Sequence, residues 1–199
     1  MTVPRLFVVG DSISIQYGPY LESYTRGSFR YSRKTGEEAA LRDLDNPQGA
    51  NGGDSSMVLG FLRDLQRVGG LNADVLLLNC GLHDIKTEPE TGVKQVPLER
   101  YRRNLHAIVD VAAELGPRLI WVRTTPCDEA VHNRAESGFY RFSEDCRVYN
   151  AAADEIMRAA CVPSIDLYTF TVNLGDDLYC DHVHFHDHIR RKQAAFIAG

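Results

Sequence analysis

Short apolar runs alternate with longer stretches of helical spacing along this 199-residue chain. Residues 6–9, 75–78 and 119–122 are apolar blocks bounded by turn residues, as expected of strands buried on both faces of a parallel sheet. Residues 165–167 form a shorter fourth block, and 28–31 reads as an edge strand. Between them, Val58, Phe61, Leu62, Leu65 and Val68 recur at helical spacing, with Asp54, Ser55 or Ser56 as cap and Gly69-Gly70 as stop. Leu98, Tyr101, Leu105, Ile108, Ala112 and Leu115 mark a second helix, which ends at Gly116-Pro117. Cys146, Tyr149, Ala153, Ile156 and Ala160 mark a third, stopped by Pro163. A last helix follows His184, with Ile189, Ala194, Phe196 and Ile197 on its apolar side.

This alternation predicts right-handed crossovers onto a parallel sheet with helices on both faces, an α/β fold. No repeat, low-complexity segment or linker interrupts it, so residues 1–199 read as a single domain. The stretches 35–53, 86–96 and 126–142 lack a clear element. Long loops in a compact domain are usually functional or mobile, and those that follow strands would ring a site at the sheet edge.

Composition narrows the classes. Hydrophobic residues at 44% and charged residues at 25% are ordinary globular values. The net charge of −5, with no basic stripe, argues against a nucleic-acid partner. Arg190-Arg191-Lys192 reads as a solvated cluster matched to the dipole near the end of the last helix. Cysteines stand at 80, 127, 146, 161 and 180 without a C-x-x-C pair, and an odd number cannot pair completely. Reduced thiols, no membrane insertion and a cytoplasmic location are therefore expected, whereas the oligomeric state is not legible. Trp121 and Cys80 read as core. Arg123 would pair with a substrate carboxylate or with an aspartate of the loops.

Two stretches carry chemistry. Val8-Val9-Gly10-Asp11-Ser12 joins an apolar strand to the start of a helix, which puts Ser12 at the carboxyl end of a strand. A turn with an N-cap would account for Gly-Asp-Ser alone. At the other end, Asp181-His182-Val183-His184 offers an acid and a base three residues apart, on a turn or in the first turn of a helix, where both share a face. Asp181 can hold one ring nitrogen of His184 while the other takes the proton of Ser12. The run from Asp181 to His188 also invites a metal reading. The run His184-Phe185-His186-Asp187-His188 misses by one residue the His-x-His-x-Asp-His spacing of the metallo-β-lactamase hydrolases, and no cofactor or metal is expected. His182 reads as a site-edge or surface residue.

Gly10-Asp11-Ser12, Gly52-Gly53-Asp54-Ser55-Ser56, Gly81-Leu82-His83-Asp84 and Asp181-x-x-His184 follow the block order of the SGNH hydrolases, or GDSL esterases, which the chain resembles over nearly its whole length. The segment 134–153 is similar to the helix-entry segment of many such proteins. The resemblance implies a flavodoxin-like three-layer α/β/α sandwich, a serine nucleophile at Ser12, and Asp181 and His184 as its partners. It also implies an oxyanion hole of three donors: the backbone N–H of Ser12, that of Gly53, and an asparagine side chain in the third block. A glycine at 53 suits close approach of a backbone N–H to substrate.

The third block departs from the pattern, with His83 in the asparagine's place. The expectation is that His83 supplies the oxyanion donor, its tautomer set by Asp84 or a nearby carbonyl; Asn51 or Asn79 could supply the amide instead. The reading is a serine esterase acting on a small-molecule ester. Polar loops around Tyr17, Phe139 and Tyr140 point to a short acyl group on a polar alcohol such as a carbohydrate. A metal-dependent phosphoesterase and an inactive binding module remain as alternatives.

Overall fold

The structure, a computed structural model, describes residues 2–134 and 138–199. Five strands, β1 (Arg5–Val9), β2 (Arg30–Arg33), β3 (Val75–Leu78), β4 (Arg118–Val122) and β5 (Ser164–Ile165), form one all-parallel sheet in the order β2-β1-β3-β4-β5. The helices are α1 (Ser12–Tyr24), α2 (Glu37–Arg42), α3 (Ser55–Arg67), α4 (Leu98–Leu115), α5 (Glu129–His132), α6 (Ser143–Ala159), α7 (Leu167–Val172) and α8 (Asp187–Ala198). Packing separates them into two layers. In one, α8 packs against α1 and α7; in the other, α4 packs against α3 and α6. This is the flavodoxin-like three-layer α/β/α sandwich.

The strands alternate their faces with period two. Leu6, Leu77, Ile120 and Ile165 meet Leu21 of α1 and Ile197 of α8 on one side. On the other, Phe7 stacks on Phe61 of α3. Trp121 and Cys80 lie fully in the core. No described helix is long and apolar enough to cross a membrane.

Several boundaries differ from expectation, each for a local reason. The edge strand lies at Arg30–Arg33 rather than 28–31, because a turn with N–H groups of Ser28 and Phe29 bonded to Thr25 O comes first. The fourth apolar block pairs only through Ile165. Asp166 leaves the sheet to cap α7, accepting from the Thr169 N–H. α2 and α5 fall inside stretches that lacked a clear element. Arg190, Arg191 and Lys192 sit in the first half of α8, so dipole matching does not explain them. Arg191 pairs with Asp187 and Arg190 donates to Phe185 O. Arg123 pairs with Asp154 and Asp166, tying β4 to α6 and α7. Residues 135–137 of the helix-entry segment lie outside the described residues.

Candidate active site

The first and last thirds of the chain meet at the carboxyl ends of β1 and β3. β1 runs through Gly10 into α1. Asp11 caps that helix, its carboxylate accepting from the Ile13 N–H at 3.0 Å, and Ser12 is the first helical residue. Arg33 at the end of β2 holds this first turn from beside, donating to Ser14 O at 2.9 Å and to Ser14 Oγ at 3.1 Å.

The segment before α8 folds back on itself. Backbone bonds Cys180 N–H to His184 O and His186 N–H to Leu178 O close a tight turn over 181–184. Asp181 Oδ1 accepts from the N–H groups of Val183 (2.9 Å) and His184 (2.7 Å), which fixes the carboxylate beneath the imidazole. His184 Nδ1 lies 2.8 Å from Asp181 Oδ2, and Nε2 lies 2.9 Å from Ser12 Oγ. An ionised carboxylate only accepts, so the Nδ1 proton goes to Asp181 and Nε2 is left to accept from the serine hydroxyl. Burial by itself would raise the Asp181 pKa. The bonds from the His184 ring and from two backbone N–H groups outweigh it and hold the carboxyl well below the usual carboxylate range. The turn, rather than a helix, puts acid and base on one side; α8 begins only at Asp187.

The second and third blocks stand next to this pair. Gly52 N–H donates to Gly10 O at 2.8 Å, which docks the second block onto the first. Gly53 has φ +69°, and an added Cβ would lie 2.5 Å from Met57 Sδ, so this position favours glycine on both counts. Its N–H donates to Asn51 Oδ1 at 3.0 Å.

His83 is 2% exposed, not a solvated loop histidine, and its Nδ1 is buried without a partner. Burial, reinforced by the charges of Lys86 and Arg141, keeps the ring neutral well below the ordinary histidine pKa. Asp84 does not set its tautomer. That carboxylate faces the start of α3, accepting from Ser55 N–H and Ser55 Oγ, and burial pushes its pKa up to about 8. The two asparagines are committed elsewhere. Asn79 Nδ2 donates to Val122 O at 2.8 Å, and Asn51 Nδ2 points to Leu44 O at 3.4 Å.

Three residues without a motif join the surroundings: Asp45, His132 and Arg141. His182 Nε2 lies 3.0 Å from Asp45 Oδ2, and its Nδ1 lies 2.7 Å from His132 Nδ1. Arg141 is 2% exposed and donates from Nε to Leu82 O, which braces the third block from below. No spacing rule links these positions to the four blocks. Tyr17, expected in a loop, is buried in α1 and cannot reach substrate. A groove of about 730 Å³ runs beside the third block, lined by Lys86, Thr87, Glu88, Lys94, Gln95 and Phe139 among others. Ser12 and His184 are not part of its lining. Atoms of Asp181, His182 and His184 gather within 4.8 Å, a spacing compatible with a metal ion. Every ring nitrogen of the two histidines is instead engaged in the bonds above.

The profile of the GDSL-like Lipase/Acylhydrolase family matches residues 8–191. Among solved structures, a lipase/acylhydrolase from Enterococcus faecalis shares 16% identity over 98% of this chain and 93% of its own, at a TM-score of 0.72. The acetyl xylan esterase AlAXEase shares 16% over 97% of each chain, at 0.70. The psychrotrophic esterase EstA from Pseudoalteromonas sp. shares 12% over 98% and 94%, at 0.65. No curated protein sequence matches this chain. At such identities the structural likeness speaks for the fold; the profile match decides the family. The chain belongs to the GDSL-like lipase/acylhydrolase family, and it is a carboxylic ester hydrolase.

Proposed function

We propose that residues 1–199 form one hydrolase domain that cleaves small-molecule esters by acyl transfer from Ser12 to water. The observation that carries this reading is the continuous contact from Ser12 Oγ through the His184 ring to Asp181. Ser12 attacks the ester carbonyl as His184 Nε2 takes its proton, and Asp181 stabilises the imidazolium that forms. The tetrahedral oxyanion is received by the N–H groups of Ser12 and Gly53 and by the ring of His83. His184 then protonates the leaving alcohol, and water repeats the cycle on the acyl-enzyme.

A short acyl group on a polar alcohol, a carbohydrate in particular, fits the surroundings best. The groove beside the third block sets Lys86, Glu88, Lys94 and Gln95 around a mostly apolar lining with one aromatic face, Phe139, which could seat the rim of such an alcohol rather than its reacting ester. The fold neighbour that acts as an acetyl xylan esterase supports the same class. Replacing Ser12 by Ala should leave the melting temperature within a few degrees and lower p-nitrophenyl acetate hydrolysis by at least about 10⁴-fold. A fluorophosphonate should label Ser12 in the wild type. Equal hydrolysis by both proteins would refute the nucleophile. No labelling and no turnover would return the chain to a binding role. Assays across acyl lengths and acetylated saccharides then test the substrate class.

A further inference from the structure

His182 stands one residue after Asp181, in the turn that carries both the acid and the base. The family pattern Asp-x-x-His assigns that position no role. Here its side chain reaches out of the turn to two other parts of the chain. One ring nitrogen meets Asp45 Oδ2 at 3.0 Å, from the loop between α2 and α3. The other meets His132 Nδ1 at 2.7 Å, from α5. The ring stands edge-on to that of His184, at 5.9 Å between centroids and 83° between planes.

The protonation of this chain follows from its ends. The bond from His182 holds the Asp45 carboxyl below its ordinary range, so Asp45 is ionised and accepts the Nε2 proton. Burial and the charge of Arg141 drop His132 to about 4, so that ring is neutral. Between the His182 and His132 Nδ1 atoms one proton is shared, donated by whichever ring carries it there. Both nitrogens of His182 are thus spent on orientation and neither is free to act as a base.

We propose that Asp45–His182–His132 is a positioning clamp, which pins the 181–184 turn to two separate loops and thereby holds the His184 ring against Ser12. The proposal rests on the esterase reading for its consequence in turnover, but not for its geometry. Without the clamp, the turn is fixed at its base by the Cys180–His184 and Leu178–His186 backbone bonds, while its tip loses the side-chain ties that His182 makes to Asp45 and His132. Reaction rates are steep in such placement, and an ångström can cost about 100-fold.

The test compares wild type with His182→Phe, which keeps the ring and removes both hydrogen bonds, and with Asp45→Asn, which keeps the shape and removes the charge. In p-nitrophenyl acetate hydrolysis, kcat should fall by about 10–100-fold in His182→Phe, with KM within about twofold. The double variant should be no worse than His182→Phe, because both changes break one chain. His182→Asn, which can still bond His132, should recover part of the loss. Independently of turnover, the proton shared by His184 Nδ1 and Asp181 should give a sharp downfield NMR signal in wild type and in Ser12→Ala, broadened in His182→Phe. A kcat within twofold of wild type, or an unchanged sharp signal in His182→Phe, would overturn the clamp. A broadened signal in a protein without esterase activity would keep the clamp and sink the esterase reading.

A different observation carries a second inference. Cys127, after β4, and Cys146, in the first turn of α6, are both buried with their sulfurs 3.2 Å apart. We infer that these two thiols, alone among the five, form a disulfide when the chain folds in the presence of a small disulfide such as oxidised glutathione. One thiolate attacks the small disulfide and releases a thiol; the second attacks the mixed disulfide and releases another. The protein loses two protons and two electrons, and the small disulfide gains both. The bond would close the loop that carries His132 and Arg141. After refolding in a glutathione buffer, intact mass should fall by about 2 Da and the unfolded protein should titrate three thiols rather than five. Five titratable thiols, or a bond mapped to another pair, would refute it.

Discussion

Replacing His83 by alanine tests the one position where this chain departs from the asparagine its family resemblance implies. If the ring donates to the oxyanion, kcat should fall by about 10²–10³-fold while the protein keeps its fold, as read by p-nitrophenyl acetate kinetics beside circular dichroism. A loss under threefold would assign the oxyanion to the backbone donors alone. Of the proposed backbone donors, the Gly53 N–H is already held by Asn51 Oδ1, and must leave it to reach an oxyanion. A neutral carbonyl competes weakly with that amide oxygen, whereas an oxyanion competes strongly. At this scale the juxtaposition of Ser12, His184 and Asp181 was legible because Gly-Asp-Ser and Asp-x-x-His are local patterns. Asp45, His132 and Arg141 were not. They arrive from loops with no periodicity, and only tertiary folding puts Asp45 beside a histidine 137 positions away.

The loops and helix starts at the sheet edge set how much a backbone change costs. Gly53→Ala should lower stability by roughly 1–3 kcal/mol, from the unfavourable positive φ together with the displacement of Met57. Thermal unfolding would show this as a drop of about 2–10 °C in Tm. A neutral outcome would mean that the 51–54 turn relaxes freely. Elements with long periodic faces were readable from their residues. α4 ends at Leu115 because Gly116 adopts φ +95° and Pro117 follows. α2, α5 and α7 escaped notice because four to six residues span less than two turns and show no repeat. β5 was overread for a related reason: Asp166 continues an apolar-looking run, yet its carboxylate is a better helix cap than a strand residue.

Across the whole molecule, burial of neutral histidines near the site couples folding to pH. His83 is held well below its ordinary pKa and His132 is lowered to about 4, both first by burial. A depressed folded value means that the unfolded chain takes up the proton first as pH falls. The stability these groups contribute is complete above about pH 6.5 and is lost on descent towards the folded values. Each can add a slope approaching about 1.4 kcal/mol per pH unit. Asp45 and Asp181, held low by their hydrogen bonds, add to the loss only below about pH 4. Asp84, whose pKa burial pushes up to about 8, acts with the opposite sign in the same window, so the His132 contribution is read as a difference: in chemical denaturation at pH 7.5, 6, 5 and 4.5 the stability of wild type relative to His132→Phe should decline from about pH 6.5 downward, and a difference constant over that range would contradict this. A parallel sheet with helices on both faces was also legible, since alternating strands and helices with right-handed crossovers leave few arrangements, whereas the order β2-β1-β3-β4-β5 carries no local signal. What packs α8 against α1 has a temporal consequence. Ser12 and His184 stand 172 residues apart, so under the proposed mechanism the hydroxyl stays unarmed until α8 docks on α1. Recovery of ester cleavage during refolding would then report the docking of α8 on α1.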